Sequence, residues 1–186
     1  MPDRATGLQE FRDALIDYKS LSSWAMGGGI AVPLVDYLIR LGPPWPLDGG
    51  VPIITSVAEL LTLMCAFHLW SRSTRSGLGR RLALLIVLLF IFFGAYLYIN
   101  GAYTFHSPVD DSKHVKGFIL RPDVAPLITA DFSAEDALAG NEYQADQVWT
   151  SPSINAARLT LLVGWLLSFI SLSAIIASFV LYYRRH

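Results

Sequence analysis

Cysteine is almost absent from this chain, since Cys65 is the single cysteine among 186 residues. One cysteine excludes a disulfide framework, a cysteine-based metal site and a dithiol redox relay. Charged residues are also few: Asp, Glu, Lys and Arg make up 16% of the chain, whereas a soluble globular domain has about 25%. The 14 Lys and Arg residues do not outnumber the 15 Asp and Glu residues, so the sequence lacks the cationic excess of a nucleic-acid-binding protein.

Apolar residues are abundant instead, at 53% of the chain with a mean hydropathy of +0.45. A membrane-spanning helix needs about 20 mostly apolar residues, and four stretches qualify: 22–41, 51–70, 82–99 and 159–183. The first stretch is the weakest, because it contains three consecutive glycines, a proline and two charged residues. The loop that follows it is too short for anything except a turn between adjacent antiparallel helices. The sequence therefore predicts an all-α integral membrane protein with four antiparallel transmembrane helices.

The Lys and Arg residues predict the orientation of these helices, because short cytoplasmic segments carry an excess of both. The 72–81 loop contains four arginines and no acid, and together with the two terminal segments it accounts for nine of the 14 cations. We therefore expect a multi-pass protein of the plasma or inner membrane with both termini in the cytoplasm. The chain then divides into a cytoplasmic or interfacial segment at 1–21, three spans within 22–100, an extracytoplasmic loop at 101–151, and a fourth span with a cytoplasmic tail at 152–186.

The N-terminal segment has the pattern of an amphipathic helix. Its apolar side chains share one stripe at Leu8, Phe11, Leu15 and Tyr18, and its acidic side chains lie opposite. Those acidic residues, and the lack of an apolar core before the first span, do not fit a cleavable signal peptide. The segment is expected to lie in the membrane interface or, alternatively, to pack on a partner protein.

The extracytoplasmic loop is expected to be ordered. Ser133 and Asp136 have the three-residue spacing of a capping box, and Gly140 ends the short helix that they predict. Residues 114–120 fit a strand. Pro152, which suits the first position of a helix, predicts that the fourth long helix begins before the membrane.

Motifs for metal or cofactor chemistry are scarce. His106 and His114 stand eight residues apart beside Asp110 and Asp111, but a metal site there would need two more well-placed ligands. A haem held between helices needs paired histidines, and His68 is the one histidine within a span. We therefore expect no metal site and no cofactor, and no catalytic residue is assigned.

Three charged residues fall inside predicted spans, where charge is costly and faces protein or water. Asp36 and Arg40 share one face of the first helix, and Glu59 lies in the outer half of the second helix. Because the two helices should be adjacent, the three side chains are expected to meet. The cluster is interpreted either as a buried ion network that fixes helix register or as a site that handles protons or ions.

Small residues recur on two helices at spacings that place them on one face. They are Gly164, Ser168, Ser171 and Ser178 on the fourth helix, and Ser23, Gly27 and Ala31 on the first. Small residues let helix backbones approach closely, and serine hydroxyls can hydrogen-bond between helices. These faces predict packing within one four-helix unit, a subunit interface or a pore lining. The third helix has no such face and is expected to contact lipid.

These features favour a non-enzymatic membrane protein that acts by assembly, as a homo-oligomeric channel- or pore-like unit or as a membrane effector. One alternative is an accessory subunit of a larger membrane complex that binds a partner through its outer loop. Another is a small transporter or membrane enzyme that uses Asp36 and Glu59. The expected partners are the lipid bilayer, further copies of the chain or other membrane subunits, and nucleic acid is not expected.

Overall fold

The computed structural model describes residues 41–46 and 50–183. The predicted N-terminal segment, nearly all of the first predicted span and the terminal residues 184–186 lie outside the described residues. Of the residues that are described, 69% are helical.

Three long helices account for most of this structure, and each is long and apolar enough to cross a membrane. Helix α1 comprises Gly50–Trp70, α2 comprises Arg75–Tyr103, and α5, after two short helices, comprises Ser151–Tyr183. They contain three of the four predicted spans. Helices α2 and α5 both extend beyond the apolar stretches that predicted them, because their polar end residues continue the same backbone hydrogen-bond ladder.

The segment between α2 and α5 contains short elements. Strand β1 (Thr104–His106) pairs with β2 (Lys113–Val115) in an antiparallel hairpin. A 3₁₀ turn (Ala125–Leu127) and the helices α3 (Ala134–Gly140) and α4 (Ala145–Val148) follow. The strand expected at 114–120 is therefore shorter and begins one residue earlier, because residues 116–120 have no strand partner beyond a single bridge between Leu120 and Trp149.

The chain forms two compact units, and α2 and α5 contribute to both. The helix unit contains residues 41–42, 50–93 and 165–183 of the described chain, and the hairpin unit contains residues 43–46 and 94–164.

The helix unit has a core of small and branched apolar side chains: Ala66, Phe67, Leu78, Ala177, Val180 and Leu181. Trp165 is 1% exposed, and its Nε1–H donates to Thr55 Oγ1 at 3.0 Å. Thr55 Oγ1 in turn donates to the Val51 carbonyl at 2.8 Å. The polar atom of this large aromatic side chain is thus satisfied inside the unit, as a buried indole requires.

The hairpin unit has a separate core, formed by Val124, Ala137, Leu138, Val148, Trp149 and Ile154. The predicted capping box is confirmed: Ser133 Oγ accepts from the Asp136 amide at 3.1 Å, and Asp136 Oδ2 accepts from the Ser133 amide at 2.8 Å. Backbone bonds from Arg121 N to Val148 O and from Thr150 N to Ile119 O close the segment onto the start of α5. The expectation of an ordered loop is confirmed by this core and these bonds.

Candidate functional site

A cavity of about 510 Å³ lies within the hairpin unit. Its wall is formed by the β1–β2 hairpin, the turn between α3 and α4, and the first two turns of α5. Five acidic, basic or histidine side chains line it: Asp110, His114, Glu142, Asp146 and Arg158. The size lies in the range of small-molecule sites, and convergent polar groups of both signs are the feature that gives such sites specificity.

One wall of the cavity contains a cluster of three polar side chains. His114 Nε2 lies 2.8 Å from Asp110 Oδ2 and 2.6 Å from Ser112 Oγ, and the Ser112 hydroxyl donates to Asp110 Oδ2 at 2.7 Å. These bonds, with a further one from Ser107, favour the carboxylate. The Ser112 bond, followed by the Ser107 and His114 bonds, therefore holds the pKa of Asp110 well below its ordinary value.

This cluster has the residue types of a Ser–His–Asp triad but not its geometry. In a triad the carboxylate binds Nδ1 and the serine hydroxyl donates to Nε2, so that the histidine passes a proton between opposite ring edges. Here the carboxylate and the hydroxyl both contact Nε2. The arrangement therefore positions charge at the cavity wall and does not activate Ser112 as a nucleophile.

Each of the two histidines of the hairpin has its own acidic partner. His106 Nε2 pairs with Asp111 Oδ1 at 2.8 Å, whereas His114 pairs with Asp110. Among residues 41–46 and 50–183, no group of three or more His, Cys, Asp or Glu side chains could hold a metal ion. The two histidines and two aspartates lie on one hairpin because they are close in the sequence. In the folded hairpin they form two separate His–Asp pairs.

Another part of the cavity wall has charges without ionic partners in the described chain. Arg158 donates to Asn155 Oδ1 at 3.3 Å, and the described ion pairs include none with Arg158, Glu142 or Asp146. The lining therefore offers one guanidinium and two carboxylates, and the guanidinium nitrogens lie more than 4.0 Å from the oxygens of both carboxylates.

The backbone at this wall is held in an unusual conformation. Glu142 and Tyr143 have φ angles of 53° and 60°, in the left-handed region that costs a residue with a side chain about 1 kcal/mol or more. The turn is kept there by a bond from Tyr143 N to Leu138 O at 2.9 Å and by packing of Tyr143 on the core. This turn brings both Glu142 and Tyr143 to the cavity lining.

Only one residue of the intramembrane cluster that the sequence predicts, Glu59, is among the described residues. Glu59 is half-buried on α1, whereas Asp36 and Arg40 lie outside the described residues. The small-residue face at Ser23, Gly27 and Ala31 lies outside them as well. Both proposals about the first helix therefore stay predictions.

The small-residue face of α5 is inside the protein. Ser168, Ser171 and Ser178 are each at most 4% exposed, and a side chain at Gly164 would meet Tyr96 at an ordinary contact distance of 3.6 Å. The Ser171 hydroxyl donates to the Leu167 carbonyl at 2.7 Å, while Ser178 Oγ is buried without a hydrogen-bond partner. Whether this face serves packing, an interface or a pore stays a prediction.

Sequence reasoning missed most of the cavity lining. Glu142, Asp146 and Arg158 are spread over 17 residues of unremarkable polar sequence, so no spacing marked them as a group. Comparison with known proteins does not point them out either, since no protein family, curated protein or solved structure matches the chain.

Proposed function

We propose that the protein is a multi-pass integral membrane protein that acts by assembly, as an accessory subunit whose hairpin unit recognises a partner. The observation that carries this proposal is the hairpin unit itself. It has its own apolar core, a capped helix and a charged cavity. A segment that merely joined two spans would need none of these, because a short solvated loop is sufficient for that purpose.

Membrane insertion is supported by the exposed surfaces of the long helices. In the most apolar stretch of α2, 6% of the residues are buried, and Phe90 is 73% exposed. The exposed side chains of α1 include Ile53, Val57, Leu60 and Leu61. Apolar patches of this extent are unusual on monomeric soluble proteins and typical of contact with lipid or protein. The orientation proposed from the arginine-rich 72–81 loop, with both termini in the cytoplasm, would put the hairpin unit on the opposite side.

The chemistry of the hairpin unit favours recognition. Residues 101–158 contain eight acidic and four basic residues, and the free charges of the cavity have both signs. Phe118 and Ile119 add two adjacent apolar side chains that are each more than half exposed. A unit that carries charges of both signs and exposed apolar groups has the side-chain types that specific partner-binding surfaces use.

A homo-oligomeric channel-like unit is the second candidate. The observation that favours it is the row of buried hydroxyls on α5, in which Ser178 Oγ has no partner. These hydroxyls are already buried within a single chain. They therefore support contact with a second copy only weakly. The third candidate, a transporter or membrane enzyme that uses Asp36 and Glu59, is supported only by the cluster predicted from the sequence.

The proposal is tested by purification of the full chain from native membranes in mild detergent. We expect a complex of fixed stoichiometry with a different membrane protein, and Arg158→Glu should weaken it because the substitution reverses a charge in the cavity. Lys116→Glu is the matched control: it makes the same charge change in the same unit, and its Glu135 partner lies outside the cavity. A homo-oligomer without other subunits would favour the second candidate, and equal effects of the two substitutions would exclude recognition through the cavity.

Topology is tested separately with reporters fused after His186 and inserted near Gly140. The first should be active in the cytoplasm and the second outside. The opposite pattern would exclude the proposed orientation.

A further inference from the structure

The cavity of the hairpin unit contains opposite charges that do not pair with each other. Glu142 and Asp146 carry carboxylates and Arg158 carries a guanidinium, and all three line the cavity. In the described part of the chain, no ion pair joins them to each other or to another residue. A carboxylate and a guanidinium that can reach each other form strong paired hydrogen bonds. Since they do not meet here, charges of both signs are available to a ligand.

Most other acidic residues of the hairpin unit already have bonded side chains. Eight acidic residues lie within 101–158, and the side chains of five are paired or hydrogen-bonded: Asp110, Asp111, Asp123, Glu135 and Asp136. Among the described residues of the unit, this leaves Asp131, Glu142 and Asp146 with unbonded carboxylates. Two of these three residues line the cavity. The acidic charge that is free to bind a ligand is therefore concentrated there.

The backbone holds both of these carboxylate residues in place. Glu142 lies in the left-handed turn that is closed by the bond from Tyr143 N to Leu138 O at 2.9 Å. Asp146 lies on α4, and its neighbour Ala145 packs against the same core as Tyr143. A ligand therefore meets two carboxylates on ordered backbone, which lowers the entropic cost of binding.

The cation of the cavity lies on a different helix. Arg158 follows Ser151, Ile154 and Asn155 by seven, four and three residues, so the four share one face of α5, and all four line the cavity. The guanidinium donates to Asn155 Oδ1 at 3.3 Å, and most of its five N–H donors remain available. Arg158 is half-buried, whereas Glu142 and Asp146 are exposed. The carboxylates can therefore be reached by a group that belongs to another chain.

Apolar side chains complete the lining and favour long charged side chains as ligands. Val115 and Ile154 are each 3% exposed, and Val109 is 70% exposed. Long charged side chains pack their methylene groups on apolar surface while their charged ends stay in polar surroundings. The cavity volume of about 510 Å³ suits a ligand with more than one side chain.

We propose that the partner of the hairpin unit inserts into the cavity a segment that presents one basic and one acidic side chain. The basic side chain binds Glu142 and Asp146, and the acidic side chain binds the guanidinium of Arg158. The inference rests on the proposed function and specifies the chemistry of the partner that the cavity selects. A segment with both signs of charge complements the lining, whereas a purely basic or purely acidic segment would place like charges together.

The test uses the full chain in detergent and fluorescently labelled heptapeptides, whose binding is measured by anisotropy at low ionic strength. Each peptide contains one Lys and one Glu among Gly and Ser residues, and the spacing between the two charges varies across the set. The tightest-binding peptide should lose about 5-fold in affinity when its Lys is replaced by Gln, and about 5-fold when its Glu is replaced by Gln. A partly exposed ion pair at the upper end of its range accounts for a loss of this size.

Two variants assign each preference to its own charge. Glu142→Gln with Asp146→Asn should abolish the preference for Lys over Gln and keep the preference for Glu over Gln, and Arg158→Gln should do the reverse. A variant that only disturbed the fold would lose both preferences together. The matched control is Asp131→Asn with Glu135→Gln, which removes two carboxylates from the same unit outside the cavity lining and should keep both preferences.

Three results would overturn the inference: equal affinity for the charged and the Gln-substituted peptides, preferences that survive in both cavity variants, and complete displacement of the peptide by millimolar free lysine and glutamate. The last would assign the cavity to a small amphoteric solute. Failure of the proposed function is distinguishable, because the native complex would then be absent although the peptide preferences are present. A native complex that Arg158→Glu weakens, together with peptides that bind without charge preference, would overturn this inference alone.

Discussion

The helix unit and the hairpin unit belong to one chain, yet different groups hold them together. In the helix unit, alanines and serines are buried beside branched side chains, and the buried Trp165–Thr55 bond joins elements 110 residues apart. In the hairpin unit, a separate apolar core is accompanied by exposed polar bonds, such as the capping box at Ser133 and the Asp110 cluster. Exposed polar groups can form such bonds at little desolvation cost, whereas a buried polar group is costly unless it is hydrogen-bonded inside the protein. Substitutions that change side-chain size should therefore cause the largest losses of unfolding free energy in the helix unit. Low pH should lower the stability of the hairpin unit more than that of the helix unit.

The largest effect is expected from Trp165→Ala. It removes a fully buried side chain and its bond to Thr55, and such truncations cost about 3–5 kcal/mol of unfolding free energy. Phe90→Ala in α2 is the control, because that side chain is 73% exposed and its loss should stay within about 0.5 kcal/mol. Denaturant titration in detergent measures both. Equal losses would show that α2 is packed as tightly as α5.

Gly117→Ala should destabilise the hairpin unit by about 1–3 kcal/mol, the usual cost of overpacking. An added Cβ would clash with Ser153 Oγ and lie 2.7 Å from Trp149 Cβ. Gly140→Ala is the matched control, since nothing lies within 4 Å of the Cβ it would add. Melting followed by tryptophan fluorescence should separate the two variants. A neutral Gly117→Ala would contradict the close approach of residue 117 to the start of α5.

Ser171→Leu tests the small-residue face of α5. Ser171 is 4% exposed, so the larger side chain should separate packed helices and cost about 1–3 kcal/mol. Ala83→Leu on the exposed surface of α2 changes size comparably and should be neutral. Size analysis in detergent, run beside the melting curves, reports assembly. A lower oligomeric state with unchanged stability of the single chain would support the channel-like candidate.

Acid should produce the smallest effect, confined to the hairpin unit. Hydrogen bonds lower the pKa values of Asp110, Asp123 and Asp136, chiefly from Ser112, Arg121 and Ser133 respectively. Each carboxylate therefore stabilises the fold above its ordinary pKa of 3.8, and that contribution is lost as the pH falls below this value. Hydrogen-exchange protection factors for residues 104–150 should fall as the pH is lowered from about 4 to about 2, and less steeply in Asp110→Asn. An equal fall of the protection factors in α1 would contradict the expectation that acid destabilises the hairpin unit more than the helix unit.

Local sequence signals predicted the elements that depend on local interactions. The capping box at Ser133 and the start of α5 beside Pro152 are confirmed, because each is decided by residues within one helical turn. The bounds of α2 were predicted less well. Hydropathy marked residues 82–99, whereas backbone hydrogen bonding continues the helix from Arg75 to Tyr103.

The candidate site could not be predicted in the same way. His106 and His114 suggested one cluster by their spacing, but the pairing of β1 with β2 gave each histidine its own aspartate. The cavity depends on Glu142 and Arg158 reaching the hairpin from distant points of the chain. No periodicity in the sequence encodes that approach.

The sequence by itself determined that three stretches form long apolar helices, because about 20 consecutive apolar residues have few other stable arrangements. It also determined that four arginines concentrate in the turn after α1 and the first turns of α2 and that the acids concentrate before α5. Only the tertiary structure decided which helix faces are buried, which arginines stack on Tyr182 and Trp70, and which charges share a cavity. The physical reason is that composition and helical period are properties of neighbouring residues, whereas burial and pairing depend on contacts between residues far apart in the chain.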